Sequence, residues 1–418
     1  MKFKFYIRLV HLVFVLPTLL SNSFGQTHFV ITPNGHTARI NKVIYTHDGE
    51  ELITASDDKS LSIWNIKSQL ISKRYYARIG NGNEGKIYAL ALSVDGTDIA
   101  FAGNTRAGNS DSTHVIIINK KTEHEISFPA HNAPITSLQY SKDGTYLASA
   151  SADSTVKIWK TNASGKFELH QSFVFPKGVL DIDWAYDRAA IAVAVGNKTV
   201  YLLEVSNEKV SANMSPNKSV TKHFHAVRCV AFSPDSTMLV TGGDDYLINM
   251  YTARGSFLKT LYKSSNPITD IAFSYDSQNI VFSNETSGIV ECIAIAKGKS
   301  LSKYTEFDNT VQSLAFSPLS AKGHYEVTAA GGLHHELRSF SAINGKTLKV
   351  FSHLSESFYH LQFKENSTLA FNTHIKESNL SKEIDFNNAI VRKTVGERMD
   401  ADFENKNLAK YKIGLHRI

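Results

Sequence analysis

Cysteine is scarce in this chain. Cys229 and Cys292 are the two cysteines among 418 residues, which excludes a disulfide framework, and their spacing fits no zinc site. We expect two buried thiols, although the pair could be joined in an oxidising compartment. Blocks of like charge are also missing, and the formal net charge is +6, so charge indicates no nucleic-acid partner. Because 42% of the residues are hydrophobic, disorder of the whole chain is excluded.

Long apolar runs are missing except at the N-terminus. There a basic stretch, Met1–Arg8, precedes the apolar run Leu9–Leu20, and Ser23 and Gly25 then supply the small residues of a cleavage site. This order predicts a secretory signal over residues 1–25 and an exported chain, periplasmic or extracellular; an uncut signal anchor is the alternative. No later run reaches the ~20 residues that a membrane span needs, so we expect no transmembrane segment in the mature chain.

Helical periodicity is missing as well, and a β-type repeat takes its place. The motif is apolar, two variable residues, apolar, one variable residue and a bulky apolar residue. It starts at Ile40, Ile87, Ile135, Val179, Val227, Ile268, Val311 and Phe358. An acid or amide recurs eight positions after seven of these starts, at Asp48, Asp95, Asp143, Asp187, Asp235, Asp276 and Asn366. Asp and Asn stabilise tight turns, so each repeat starts with a strand and a turn.

Three further β-rich runs follow the first in a typical repeat. Four short strands in ~45 residues are typical of a blade in an all-β β-propeller, because such a sheet buries both faces only between neighbours. We predict a propeller over residues 26–395 with eight four-stranded blades; seven blades with a C-terminal extension are the alternative. The strand Phe29–Ile31 is expected to close the ring as the outer strand of the eighth blade. Residues 396–418 are left as a C-terminal tail.

The repeats resemble those of the WD-repeat family, and three of them carry most of its signature. The matching residues are His36, Thr54, Asp58 and Trp64 in the first repeat, His131, Ser149, Asp153 and Trp159 in the third, and His225, Thr241, Asp245 and Tyr251 in the fifth. The resemblance implies that each set forms a hydrogen-bonded tetrad between the loop before the first strand and the turn after the second. It also suggests a bacterial rather than a eukaryotic exported protein.

Catalytic motifs are missing too. The chain has no G-x-S-x-G elbow and no H-E-x-x-H pair, and we expect no metal and no cofactor. These observations favour a non-enzymatic scaffold that binds a protein or peptide in the cell envelope or outside the cell, as a monomer or a subunit of a larger complex. Rim loops and the channel mouth should carry the partner. The candidate partner-binding residues are Arg39, Tyr88, Arg106, Arg228 and Tyr359.

The alternative function places a site in the central channel. Asp181, Asp270 and His360 each stand two residues after a repeat start, and polar groups in a channel could serve a propeller enzyme or a glycan-binding lectin. The same residues could instead be hydrated channel lining.

Overall fold

The computed structural model describes residues 35–351, except 79, 107–110, 163–165, 206–212, 215–217, 321–324 and 333–334. It also describes the backbone of the strands at 28–31, 358–364, 368–375, 378–385, 390–394 and 413–416. Every regular element in this part of the chain is a β-strand. The second strand of a blade, such as Ala190–Val195, is buried along its whole length, whereas an outer strand such as Lys299–Tyr304 is largely exposed. This gradient is that of a sheet packed on both faces near its inner edge.

Seven antiparallel sheets form consecutive blades, and the strands of each blade are named a to d in chain order. Blade 1 contains Ile40–Tyr45, Glu51–Ser56, Ser60–Asn65 and Leu70–Tyr76. Blade 2 contains Ile87–Leu92, Asp98–Gly103, Thr113–Asn119 and Glu125–His131. Blade 3 contains Ile135–Tyr140, Tyr146–Ser151, Thr155–Thr161 and Phe167–Val174, with Asn213–Met214 as a fifth strand.

The other four blades follow the same order. Blade 4 contains Val179–Trp184, Ala190–Val195, Thr199–Glu204 and Lys218–Thr221. Blade 5 contains Val227–Phe232, Met238–Gly243, Leu247–Thr252 and Phe257–Lys263. Blade 6 contains Ile268–Phe273, Asn279–Asn284, Val290–Ala294 and Lys299–Tyr304. Blade 7 contains Val311–Phe316, Glu326–Gly331, Glu336–Ser341 and Thr347–Val350.

The ring closes between blade 7 and blade 1. Strand a of every blade packs against strand a of the next, and strand a of blade 7 packs directly against strand a of blade 1. Across this junction the backbone N–H of Val43 donates to Ser313 Oγ at 3.2 Å, and Tyr45 Oη lies 2.5 Å from Thr328 Oγ1. Trp64 and Phe351 belong to the apolar core of the same junction. The protein is therefore a seven-bladed β-propeller.

The prediction of eight blades is wrong. The eighth repeat does form a four-stranded sheet, from Phe358–Lys364, Thr368–Ile375, Ser378–Asp385 and Ile390–Thr394. The apolar faces of blades 7 and 1 already bury each other, so the ring has no gap for another wedge. A repeat period shows how many sheets form, but it does not show which pair of sheets meets to close the ring.

The predicted N-terminal closure is also wrong. His28–Ile31 pairs antiparallel with Ile413–His416, with Phe29 opposite Leu415, and adds to no blade. This two-stranded sheet belongs to a compact unit of residues 1–32 and 405–418, separate from the unit of residues 33–404 that contains the propeller. The proposed signal over residues 1–25 lies outside the described residues. No helix in the described part of the chain has the length and apolar character of a membrane span.

The predicted turns after strand a are confirmed. In the first three blades, Gly49, Gly96 and Gly144 adopt φ values of 67°, 72° and 74°, which disfavour a residue with a side chain. The preceding aspartates accept bonds within the turn; Asp143, for example, accepts from Ser141 Oγ at 2.6 Å and from the backbone of Thr145 at 3.0 Å. The aspartates therefore have a local structural role.

Candidate functional site

In blade 1 the predicted tetrad residues are joined in one hydrogen-bonded chain. His36 lies before strand a, and its Nδ1 is 2.8 Å from Asp58 Oδ2 while its Nε2 is 2.7 Å from Thr54 Oγ1. Trp64 Nε1 donates to the same Thr54 hydroxyl at 2.8 Å. Asp58 also accepts the backbone N–H of Thr37 at 3.0 Å. The tetrad thus fixes the loop before strand a to the turn between strands b and c.

Blade 3 repeats this arrangement with His131 in the histidine position. His131 Nε2 lies 2.7 Å from Ser149 Oγ and its Nδ1 lies 3.0 Å from Asp153 Oδ2. Trp159 Nε1 donates to Ser149 Oγ at 2.8 Å. The polar groups of this blade are therefore paired as buried polar groups must be.

In blade 5 the tetrad histidine is His223, and the assignment of His225 is wrong. His223 Nε2 lies 2.7 Å from Thr241 Oγ1, and its Nδ1 lies 2.9 Å from Asp245 Oδ1. His225 is exposed. Spacing could have identified the correct residue, because each tetrad histidine precedes its hydroxyl residue by 18 positions and its aspartate by 22.

Hydrogen bonding keeps the carboxylates of Asp58 and Asp153 charged. Burial by itself raises the pKa of Asp58 and Asp153, but bonds from the tetrad histidines, from Ser60 or Thr155, and from backbone N–H groups hold both pKa values well below the ordinary value. Burial also lowers the pKa of His131, although Asp153 opposes that shift. The favoured state of the blade 3 pair at neutral pH is a neutral imidazole beside a carboxylate. A group of this kind is better suited to rigidity than to proton transfer.

The correction in blade 5 can be tested by two alanine variants. His223→Ala should lower the free energy of unfolding by about 2 kcal/mol, because it removes the buried imidazole that bonds both Asp245 and Thr241. His225→Ala, two positions away and exposed, should change that free energy by less than about 0.5 kcal/mol. Urea unfolding of both variants measures the difference. Equal losses would contradict the assignment of His223.

The channel wall is built from strands a, and their free edges are capped by side chains from the preceding blade. Asp181 Oδ2 accepts the backbone N–H of Val230 at 3.2 Å, and Asp183 Oδ2 accepts that of Phe232 at 2.7 Å. Asp270 Oδ2 likewise accepts the backbone N–H of Leu314 at 2.8 Å. An inner edge strand would otherwise present unpaired donors. These carboxylates therefore hold neighbouring blades together.

A cavity of about 110 Å³ opens into this channel and is lined by Asp181, Asp270 and Lys42, among other residues. The carboxylate of Asp270, aided by Asp181 and Asp183, raises the pKa of Lys42. Burial raises the pKa of Asp181 to about 6, while Lys42 opposes the shift. Of the three residues proposed for a channel site, Asp181 and Asp270 line the same cavity, but both act as backbone caps. The third, His360, lies in the eighth sheet outside the ring. The described residues contain no metal-ligand cluster of three or more His, Cys, Asp or Glu.

The candidate partner-binding residues divide into three groups. Tyr88 and Arg228 line the channel cavity, and Arg228 also pairs with Asp244 and, at 3.2 Å, with Glu285. Arg39 is exposed, and its Nε donates to Asn41 Oδ1 at 3.1 Å. Arg106 is exposed in the long loop of blade 2, and Tyr359 lies in the eighth sheet outside the ring. The tetrad side of the ring therefore gathers three of the five residues around its channel mouth.

Sequence reasoning missed two exposed aromatic residues beside the blade 5 tetrad. Phe224 follows the tetrad histidine, and its backbone N–H donates to Asp245 Oδ2 at 2.9 Å while 77% of the residue is exposed. Tyr246 follows the tetrad aspartate with a φ of 69° and is 41% exposed. The correct histidine would have revealed Phe224, which directly follows it, whereas Tyr246 follows Asp245, which the sequence analysis assigned correctly.

Seven four-stranded blades define a seven-bladed β-propeller, and three of them contain the His–hydroxyl–Asp contacts. The predicted fourth member donates to the hydroxyl in blades 1 and 3, through Trp64 and Trp159, but the prediction for Tyr251 is wrong, because its buried Oη has no hydrogen-bond partner. The family model described as "WD domain, G-beta repeat" matches residues 27–65, 122–160 and 214–252. Each matched segment ends just after the aromatic residue at this position, Trp64, Trp159 or Tyr251. Sequence and geometry therefore support a place for this chain among WD-repeat propellers.

The chain is also similar to several WD-repeat proteins of eukaryotes. It is 26% identical over 254 residues to apoptotic protease-activating factor 1 of Rattus norvegicus, which is 59% of this chain and 19% of that protein. It is 21% identical over 316 residues to the periodic tryptophan protein 2 homolog of Dictyostelium discoideum, and the match covers 61% of this chain and 33% of that protein. It is 23% identical over 252 residues to THO complex subunit 3 of Arabidopsis thaliana, and the match covers 60% of this chain and 75% of that protein. The chain thus spans a fifth to a third of the length of the first two proteins.

Proposed function

We propose that this protein is a non-enzymatic scaffold that binds a protein or peptide on the tetrad side of the ring. The observation that carries this proposal is the aromatic pair Phe224 and Tyr246. In blade 1 the same two backbone positions hold Thr37 and Lys59, and in blade 3 they hold Asn132 and Ser154. Since the frame does not require aromatic residues there, their exposure needs another reason, and exposed aromatics are the usual anchors of interfaces.

Rigidity makes this pair suitable for binding. The carboxylate of Asp245 accepts both the backbone N–H of Phe224 and His223 Nδ1, so the tetrad holds the loop that carries Phe224. Tyr246 lies in the turn that the same aspartate caps. A pre-organised anchor loses little conformational entropy when a partner docks. Membership of a complex is also indicated by the name of one relative, THO complex subunit 3.

Affinity capture with matched variants tests the proposal. Phe224→Ala combined with Tyr246→Ala should lower the recovery of a partner by about 30-fold, as expected when two hot-spot residues are removed. Thr37→Ala combined with Lys59→Ala, at the same positions of blade 1, is the control and should retain the partner. The captured proteins are quantified by mass spectrometry. Identical capture by the wild type and both variants would contradict the proposal.

Export by residues 1–25 is a further part of the proposal, and it rests on the order of basic, apolar and small residues. It places the partner in the periplasm or outside the cell. If it holds, mass spectrometry of the chain made in its native host should find an N-terminus at Gln26. A retained Met1 in the secreted fraction, or an intact chain in the cytosol, would contradict it.

A further inference from the structure

The opposite end of the channel carries a second aromatic surface. Strand a is six residues long, or about 20 Å, so the turns that follow it lie at the far end from the tetrads. The residue directly after strand a is a Ser, Thr or Ala in every blade. The residue after that one is, from blade 1 to blade 7, His47, Val94, Lys142, Tyr186, Pro234, Tyr275 and Pro318. We call these seven positions the turn ring. They surround the end of the channel because every strand a lines the channel.

In blades 1 to 4, each of the first three members of the turn ring contacts the turn of the next blade. His47 Nε2 lies 2.9 Å from the backbone oxygen of Ser93 in the next blade. Val94 lies against the turn of blade 3, where a Cβ added to Gly144 would be 3.7 Å away. Lys142 Nζ stands 4.1 Å from the centre of the Tyr186 ring in blade 4. The turns of blades 1 to 4 therefore form one continuous stretch of the turn ring, which we call, together with the turns of blades 5 to 7, the belt.

Apolar and aromatic groups of this belt are exposed to solvent. Tyr186 is 40% exposed and Tyr275 is 51% exposed, and Leu319, which follows Pro318, is 69% exposed. The turn itself does not require them, because other blades place His, Lys or Pro at the position of the two tyrosines. Exposed apolar groups gathered around one opening are typical of an interaction site.

The surroundings of the belt are acidic. Each of the first six members is followed by an exposed aspartate: Asp48, Asp95, Asp143, Asp187, Asp235 and Asp276. Hydroxyl and backbone donors in the turns keep the pKa of Asp95 and that of Asp276 below the ordinary value, so both are charged at neutral pH. Among the described residues of these turns the lysine and arginine are Lys142 and Arg188, and Arg188 already pairs with Asp187 at 3.1 Å. The six exposed aspartates therefore outnumber these two cations.

We propose that the turn ring is a second docking surface, for a protein segment that presents an arginine or lysine between apolar residues. Lys142 shows the chemistry inside the chain, since its ammonium already lies over one tyrosine ring. Among the cation–ring contacts of the described residues, none involves Tyr275, so this ring offers the same contact to a partner. The six carboxylates select for a basic segment, and the apolar residues bury its flanking side chains.

A panel of short fluorescein-labelled peptides tests this surface. Each peptide carries a central Leu-Xaa-Arg-Xaa-Leu, with Xaa varied over Gly, Ser, Pro and Tyr, and each has a matched peptide with Glu in place of Arg. The full chain should bind members of the Arg panel at least about tenfold more tightly than their Glu partners. Tyr275→Ala should raise the dissociation constant of the Arg peptides by about tenfold. Binding should also weaken as salt is raised.

Tyr246→Ala is the matched control, because it removes an exposed tyrosine from the tetrad side. It should leave peptide binding unchanged, whereas Tyr186→Ala should weaken it. The proposal is overturned if no Arg peptide binds, if Glu peptides bind equally well, or if Tyr275→Ala binds like the wild type. Loss on Tyr246→Ala with no effect of Tyr275→Ala would place these peptides on the tetrad side instead.

Discussion

Trp64→Ala should lower the free energy of unfolding by about 4 to 5 kcal/mol, the largest loss we expect from a single substitution in this protein. Trp64 is fully buried, donates to Thr54 Oγ1 at 2.8 Å, and packs edge-on against Phe351 with ring centres 6.5 Å apart. Alanine would leave a large cavity where blade 7 meets blade 1. Urea unfolding measures the loss, and a value below about 2 kcal/mol would contradict this account.

Two companion variants separate cavity formation from ring closure. Trp64→Tyr should cost less than about 2 kcal/mol, because blade 5 places a buried tyrosine, Tyr251, at the same position. Trp64→Ala and Phe351→Ala should be non-additive by about 1 kcal/mol, since the two rings share one contact. An eight-bladed ring would separate blade 1 from blade 7, and the two substitutions would then add independently. The coupling energy is therefore a solution test of the number of blades.

The starting residue of strand a could be predicted from the sequence in every blade. Each repeat start between Ile40 and Val311 is the first residue of strand a in its blade, and Phe358 starts the first strand of the eighth sheet. This works because the alternation of buried and channel-facing residues, followed by an Asp turn, is a local pattern. Local patterns were sufficient for two of the three tetrads as well.

Ring closure could not be predicted in the same way. The contact between Val43 and Ser313 joins residues 270 positions apart, and nothing in either segment marks the other as its partner. Blades are nearly interchangeable wedges, so the seventh and the eighth repeats compete for the same place beside blade 1. Packing volume decides between them, and volume is a property of the whole ring.

The role of the channel acids also depended on distant partners. Asp181 and Asp270 share a repeat position, which suggested a common site. The structure shows that this position faces the bare edge of the next strand a, where a carboxylate caps a backbone N–H. An acidic residue that recurs at one position of a repeat can therefore indicate a repeated backbone cap as readily as a binding site.

Asp181→Asn should make the protein more stable relative to the wild type as pH rises from about 4 to 7, by about 2 kcal/mol over that interval. Burial raises the pKa of the Asp181 carboxyl to about 6 in the folded state, above its ordinary value of 3.8. A raised folded pKa contributes stability that is fully present below the unfolded pKa and is lost as pH rises through the folded pKa. Asparagine does not titrate, so the variant escapes that loss.

Asparagine is a suitable probe because it preserves the contacts of the site. Its side-chain oxygen can still accept the backbone N–H of Val230, and its amide can donate to Ser137 Oγ, which lies 3.0 Å from Asp181 Oδ1. Lys42, Asp183 and Asp270 remain as the titratable groups around it. Urea unfolding at several pH values between 4 and 7 gives the difference between variant and wild type.

Asp143→Asn is the control with the opposite sign. The hydrogen bonds of its turn lower the pKa of Asp143, so its contribution is present above the unfolded pKa and is lost as pH falls below about 4. The free energy of unfolding of Asp143→Asn should therefore fall relative to that of the wild type as pH rises towards 4. Above pH 4 the difference should stay constant. A stability difference for Asp181→Asn that stays constant from pH 4 to 7 would show that Asp181 is solvated like a surface acid. The carboxylate caps would then cost the ring no electrostatic free energy.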